Sequence, residues 1–190
     1  MEGEFKLILG PMASGKSRTL ITELEKYGYA KRRIVTIQPD INVRDEKIES
    51  RNGLSRDAIK LKTLGDLEEV MPLDEVDVVG IDEAFMFEAK DTKETIGRLL
   101  KLGKTVVAAS LDVMANGRMS ETVVGMLELV PEVSYERAVC TSCDKMDARM
   151  TLIFDIETGQ QLVDLPDVVP DDGTYGYRPV CRSCWSGDNE

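Results

Sequence analysis

The chain has 190 residues, 42% hydrophobic and 31% charged, enough for one domain with a small appendage and a sizeable core. Its 35 acids against 24 bases give a net charge of −11. That balance argues against a broad nucleic-acid surface, because displacing counterions from phosphates takes basic patches. Histidine is absent, which removes Ser-His and Cys-His nucleophilic chemistry and leaves a carboxylate, Lys or Tyr as any general base.

The first apolar run, Phe5-Lys6-Leu7-Ile8-Leu9, predicts a buried strand. Gly10-Pro11-Met12-Ala13-Ser14-Gly15-Lys16-Ser17 follows it and fits G-x-x-x-x-G-K-[ST] at every fixed position. Leu20, Ile21, Leu24 and Tyr27 then carry a helical period, so the motif lies between a strand and a helix. Glycines let such a loop curl until successive N–H groups face phosphate oxygens, and the helix N-terminus adds partial positive charge. Lys16 is expected to bridge the β- and γ-phosphates, and Ser17 to offer its hydroxyl to Mg²⁺. The expected ligand is a nucleoside triphosphate.

Lys31-Arg32-Arg33 reads as a solvated loop before a second strand, Ile34-Val35-Thr36-Ile37, which Gln38-Pro39 ends. Residues 40–53 are polar and predict a loop or flexible arm; 58–61 predict a short strand, with a helix through Leu67 and Val70. Residues 76–81 form an apolar run that closes on Asp82-Glu83, as expected of a central parallel strand with chemistry at its C-terminal end. Beside a phosphate loop, one acid of the Asp82-Glu83 pair is expected to hold Mg²⁺ and its neighbour to act as base. A helix through Ile96, Leu99, Leu100 and Leu102 stops at Gly103; Thr105 to Ala109 is a further strand. Residues 114–120 read as a loop, and a helix runs through Val123, Val124, Leu127 and Leu129 to Pro131. Strands alternating with helices predict an α/β core with a parallel sheet, placed at 1–138.

Residues 139–190 have a different character. Cys140 and Cys143 open this segment, Cys181 and Cys184 close it, and 37 residues separate the two C-x-x-C pairs. Two such knuckles suit one tetrahedral Zn²⁺, and four thiolates with no open position mean a structural metal. Between them, 150–155 alternate as a hairpin strand with a turn at Glu157-Thr158-Gly159, and 166–176 read as a long loop. No apolar run reaches the roughly 20 residues that cross a bilayer, and no leader pattern precedes the first strand. The expected location is the cytoplasm, without a membrane partner.

Taken together, the Pro-Met phosphate loop, Gly80-Ile81-Asp82-Glu83-Ala84, Leu111-Asp112, Cys140-x-x-Cys143 and Tyr177-x-x-x-Cys181-x-x-Cys184 resemble the type II thymidine kinases in order and spacing. The resemblance implies a RecA-like P-loop core, a small ribbon-like zinc domain with a lasso loop, and transfer of phosphate from ATP to the thymidine 5′-hydroxyl. By position it implies Glu83 as general base, with Lys16 and Arg44 at the reacting phosphate. Gly10 to Ser17 with Asp82 would serve ATP and Mg²⁺. Met12, Met86, Leu111 and Tyr177 would line the nucleoside site, and subunits would form a homotetramer. Several positions depart from the family pattern: Asn42 replaces an aspartate, Phe85 a glutamine, Ala115 and Ser120 two pocket phenylalanines, and Asp172-Gly173 a glycine pair. Three alternatives therefore stay open: a kinase for another or modified nucleoside, a non-catalytic ATP sensor, and a nucleic-acid-dependent ATPase, the last disfavoured by charge.

Overall fold

The computed structural model describes residues 3–41, 47–49, 53–162, 165 and 174–187. The apolar runs become strands β1 (Phe5–Leu9), β2 (Ile34–Pro39), β6 (Val78–Ile81) and β7 (Thr105–Ser110) of one sheet. Shorter strands complete it: β5 (Ile59–Leu61) at one edge and β8 (Glu132–Tyr135) at the other. The six lie in the order β5-β2-β6-β7-β1-β8, and every neighbouring pair is parallel. The expected α/β architecture with a parallel sheet is what the chain adopts.

Helices cover both faces, which is why the central strands read as unbroken apolar runs. Along β1 the side chains alternate: Ile8 points into one cluster, Leu7 and Leu9 into the other. Helix α1 (Lys16–Tyr29) packs Leu20, Ile21 and Leu24 against Ile8, Val78, Val107 and Ala109. On the opposite face α3 (Ala89–Lys101) and α4 (Glu121–Leu127) bury Ile96, Leu99, Val123 and Met126 against Leu7, Leu9, Val79, Ile81 and Val106. Each fully buried side chain of this size contributes roughly 1.5–3 kcal/mol through removal from water. A short helix α2 (Leu67–Val70) adds Leu67 to the same face.

Two expectations need correcting. Within the 40–53 stretch, read as a loop or arm, Lys47–Glu49 form β3, paired antiparallel with β4 (Ser55–Asp57). This hairpin is tied down by Ile48, fully buried against the α1 cluster, and by Arg56 Nε, which donates to Thr36 Oγ1 at 2.8 Å. The helix expected to reach Pro131 ends at Leu127, and the chain turns through Val130 at φ 54 into β8, which the sequence reading missed.

After β8 the chain builds a second, antiparallel sheet from β9 (Met150–Asp155), β10 (Gln161–Leu162) and β11 (Tyr175–Val180), in the order β10-β9-β11. The predicted hairpin is present: Asp155 Oδ1 accepts the Thr158 N–H at 2.7 Å, and Gln161 and Leu162 pair with Phe154 and Ile153. A small core of Ala138, Cys140, Ala148, Leu152, Val180 and Cys181 lies beneath, closed by Trp185 of α5 (Arg182–Gly187). None of the described helices is long and apolar enough to cross a membrane.

Candidate active site

The phosphate loop emerges from the C-terminal end of β1 and ends in α1. Gly10 sits at φ 153, where an added Cβ would stand 2.5 Å from the Glu136 carbonyl oxygen, so only glycine fits. Ala13 and Gly15 take left-handed backbone at φ 60 and 92, the alternation that turns N–H groups into a concave nest. Lys16 is 6% exposed, and its Nζ donates to the Pro11 carbonyl at 2.9 Å. Ser14 Oγ is buried with no hydrogen-bond partner among the described residues. A buried hydroxyl in that condition is costly unless a ligand acceptor meets it, and a phosphate oxygen supplies one. The loop residues Gly10 to Ser17 thus suit a triphosphate.

Asp82 and Glu83 follow β6, two strands from β1 because β7 lies between. The gap is bridged: Ser17 Oγ donates to Asp82 Oδ1 at 3.2 Å. A hydroxyl and a carboxylate oxygen that meet over a phosphate nest are a hard-oxygen pair of the kind Mg²⁺ takes. Burial, reinforced by the neighbouring Glu83 charge, pushes the Asp82 carboxyl up to about 7, against the pull of the Ser17 hydrogen bond and Lys16. Glu83 itself has left-handed backbone, φ 49 and ψ 42, and opens a 3-10 turn over Ala84–Met86.

Asp82 has a consequence for pH. Its folded-state pKa lies above the unfolded value, so the folded protein holds the extra proton between roughly pH 4 and 7 and loses stability as pH rises through that window. Asp82→Asn is therefore expected to raise the melting temperature of the ligand-free protein at pH 8 and to change it little at pH 5. Melts of both proteins at the two pH values check this. An equal shift at both would show that charge burial is not the cause.

An apolar cluster adjoins the loop and the acid pair. Phe85, Leu111 and Met114 are buried together, with Met12 and Met86 packed against them. Three of the expected nucleoside-site residues, Met12, Met86 and Leu111, are thus brought together from the loop, the turn after β6 and the end of β7. Phe85 and Met114 join them. Tyr177, expected on a lasso loop, lies on β11 opposite Ile153, and with Tyr175, Leu165 and Ile153 it packs around Ala115. Ser120 directly precedes α4, and its N–H donates to the Asp112 carbonyl at 3.0 Å. Arg44, Asn42 and Asp172-Gly173 lie outside the described residues.

The four cysteines converge where β9 begins and β11 ends. Their Sγ atoms all lie within 4.8 Å of one another, and Cys143 Sγ is 3.7 Å from Cys181 Sγ. Tetrahedral Zn²⁺ with Zn–S bonds of about 2.3 Å spaces its sulfurs about 3.8 Å apart. The donor set and spacing fit that ion. Burial disfavours the Cys140 thiolate, but backbone N–H groups of Cys181, Ser142 and Cys143 outweigh it and bring the thiol down to about 6. Hydrogen bonds with Cys143 and Cys181 push Cys184 up to about 12.

The thymidine kinase family model matches residues 3–185 of the chain. The chain belongs to the thymidine kinase family. A thymidine kinase from Amsacta moorei entomopoxvirus is 27% identical over 185 residues, which cover 95% of this chain and 97% of that protein. Membership makes this protein a kinase whose substrate is a nucleoside. Sequence reasoning missed Met114 in the apolar cluster and named Phe85 only as a departure from the family pattern. It also missed Thr151, whose Oγ1 accepts the Met12 N–H at 3.0 Å across 139 residues of sequence. No local pattern announces such a contact.

Proposed function

We propose that this thymidine kinase family member transfers the γ-phosphoryl group of ATP to the 5′-hydroxyl of thymidine, giving dTMP and ADP. The observation that carries the reading is the Ser17–Asp82 hydrogen bond at 3.2 Å, which joins the phosphate loop to the acid pair beside the Met12, Phe85, Met86, Leu111 and Met114 cluster. A polar phosphate end thereby meets an apolar pocket, as a nucleoside substrate requires. In the reaction Glu83 accepts the proton of the 5′-hydroxyl as its oxygen attacks the γ-phosphorus in line. Lys16, released from the Pro11 carbonyl, offsets charge on the transferred group. Ser17 and Asp82 would hold Mg²⁺, which neutralises phosphate charge when bound. Arg44 is assigned beside the reacting phosphate by resemblance alone, and a homotetramer likewise.

Phe85 and Ala115 favour a second reading, a kinase for a different or modified nucleoside. One adds a ring to the cluster; the other leaves a methyl where the family pattern has a phenylalanine, among Ile153, Tyr175 and Tyr177. A nucleoside panel with Mg·ATP separates the two, scoring monophosphate formed from thymidine, deoxyuridine, 5-substituted deoxyuridines, deoxycytidine and purine deoxynucleosides. Thymidine is expected to lead. A different leader moves the specificity while keeping the chemistry, and ATP binding without any product removes the kinase reading in favour of a sensor.

A further inference from the structure

The Met12–Thr151 contact has a counterpart on the same peptide. The unit joining Pro11 to Met12 carries the carbonyl that accepts Lys16 Nζ at 2.9 Å and the N–H that donates to Thr151 Oγ1 at 3.0 Å. In a trans peptide these two groups point to opposite sides of one rigid plane. The plane is therefore held from both sides, and Thr151 sets the orientation of the carbonyl that holds the lysine. We propose that Thr151 is a positioning residue for the phosphate loop, fixing the Pro11–Met12 peptide and through it Lys16. This inference rests on the loop being the ATP site.

Thr151 is itself held firmly. It is buried on β9, where it pairs with Pro179 of β11, and the Pro179 carbonyl accepts the Thr141 N–H of the first cysteine knuckle at 3.0 Å. Two residues beyond Pro179 comes Cys181. A short path of hydrogen bonds and strand pairing thus runs from the thiol cluster to the phosphate loop. A second attachment lies alongside it. Gly117, at φ 77 in the loop that supplies Met114, lies so close to Trp185 that an added Cβ would stand 2.7 Å from the indole ring. The C-terminal unit therefore braces both the phosphate loop and a wall of the apolar cluster.

Without the Thr151 hydroxyl the Met12 N–H must find another acceptor, and the loop relaxes to provide one. Nucleotide binding then has to restore the curled form, so the loss appears as weaker affinity. Thr151→Val, close to threonine in shape, is expected to weaken ATP binding about tenfold by equilibrium titration and to raise KM for ATP in proportion. Thr151→Ser, which keeps the hydroxyl, is expected to return both to within about twofold of wild type. Melting temperatures of the two variants control for folding. Wild-type ATP affinity in Thr151→Val overturns the proposal while leaving the function reading intact. So does a rise in the nucleoside KM alone, or a Ser variant as impaired as Val. A wild-type protein that binds no ATP overturns the function reading and this proposal with it.

Discussion

Replacing Glu83 with glutamine is expected to lower kcat by about 10²–10⁴-fold while leaving Mg·ATP affinity unchanged or slightly tighter. The chain has no histidine, which leaves a carboxylate, Lys or Tyr as base, and the proposed base Glu83 carries left-handed backbone. A glutamate at φ 49 costs roughly 1–3 kcal/mol relative to ordinary backbone. Glutamine pays the same cost and keeps the same shape, so folding is little affected. Affinity is spared for an electrostatic reason. The Glu83 charge is one cause of the raised Asp82 pKa, and neutralising it makes Asp82 easier to ionise and better able to hold a cation. Steady-state kinetics with separate KM values for ATP and nucleoside check both halves. Near-normal turnover removes Glu83 from the base role. Loss of turnover together with ATP binding makes it a structural residue instead.

What could be read from the sequence follows from where each signal is written. The strands β1, β2, β6 and β7 are buried on both faces, so burial itself produces the apolar runs. The phosphate loop is legible because its pattern is local: eight consecutive residues carry the glycines, the lysine and the serine hydroxyl. The edge strand β8 is not, since Glu132, Ser134 and Tyr135 are exposed and only Val133 is half-buried. The β3–β4 hairpin escapes for the same reason, with Ile48 the one buried residue of its two strands. Strand β11 is disguised by Gly176 and Pro179. Both are tolerated because β11 is an edge strand, and Gly176 leaves room for the Phe154 ring against its Cα. The Thr151 contact with Met12 could not be read at all, because it joins a hairpin strand to a loop that share no local pattern. The loop motif and the acid pair were legible, and the bracing behind them was not.

Chelating the metal that the four cysteines fit, or replacing Cys140 with serine, is expected to melt the C-terminal sheet while the parallel sheet survives. The reasoning is one of size. Among the described residues the core around Cys140 holds six that are buried, two of them the cysteines themselves, whereas the main core buries both faces of a six-stranded sheet. So few apolar side chains give only a few kcal/mol once backbone ordering is opposed to them. A structural zinc contributes apparent binding energy of about 10–16 kcal/mol at neutral pH, and that energy is folding energy when the site exists only in the folded state. Removal should lower the melting temperature by roughly 10–20 °C if about 5 kcal/mol of it is expressed globally. Hydrogen exchange locates the loss. Amides of β9, β11 and the two cysteine knuckles should exchange freely, while those of β6 and β7 stay protected. The amide of Met12 should lose protection with the first group, since its acceptor lies on β9. Metal analysis should find one zinc per chain in the untreated protein. A chelated sample with unchanged melting and exchange would mean that the thiols hold the fold without an ion.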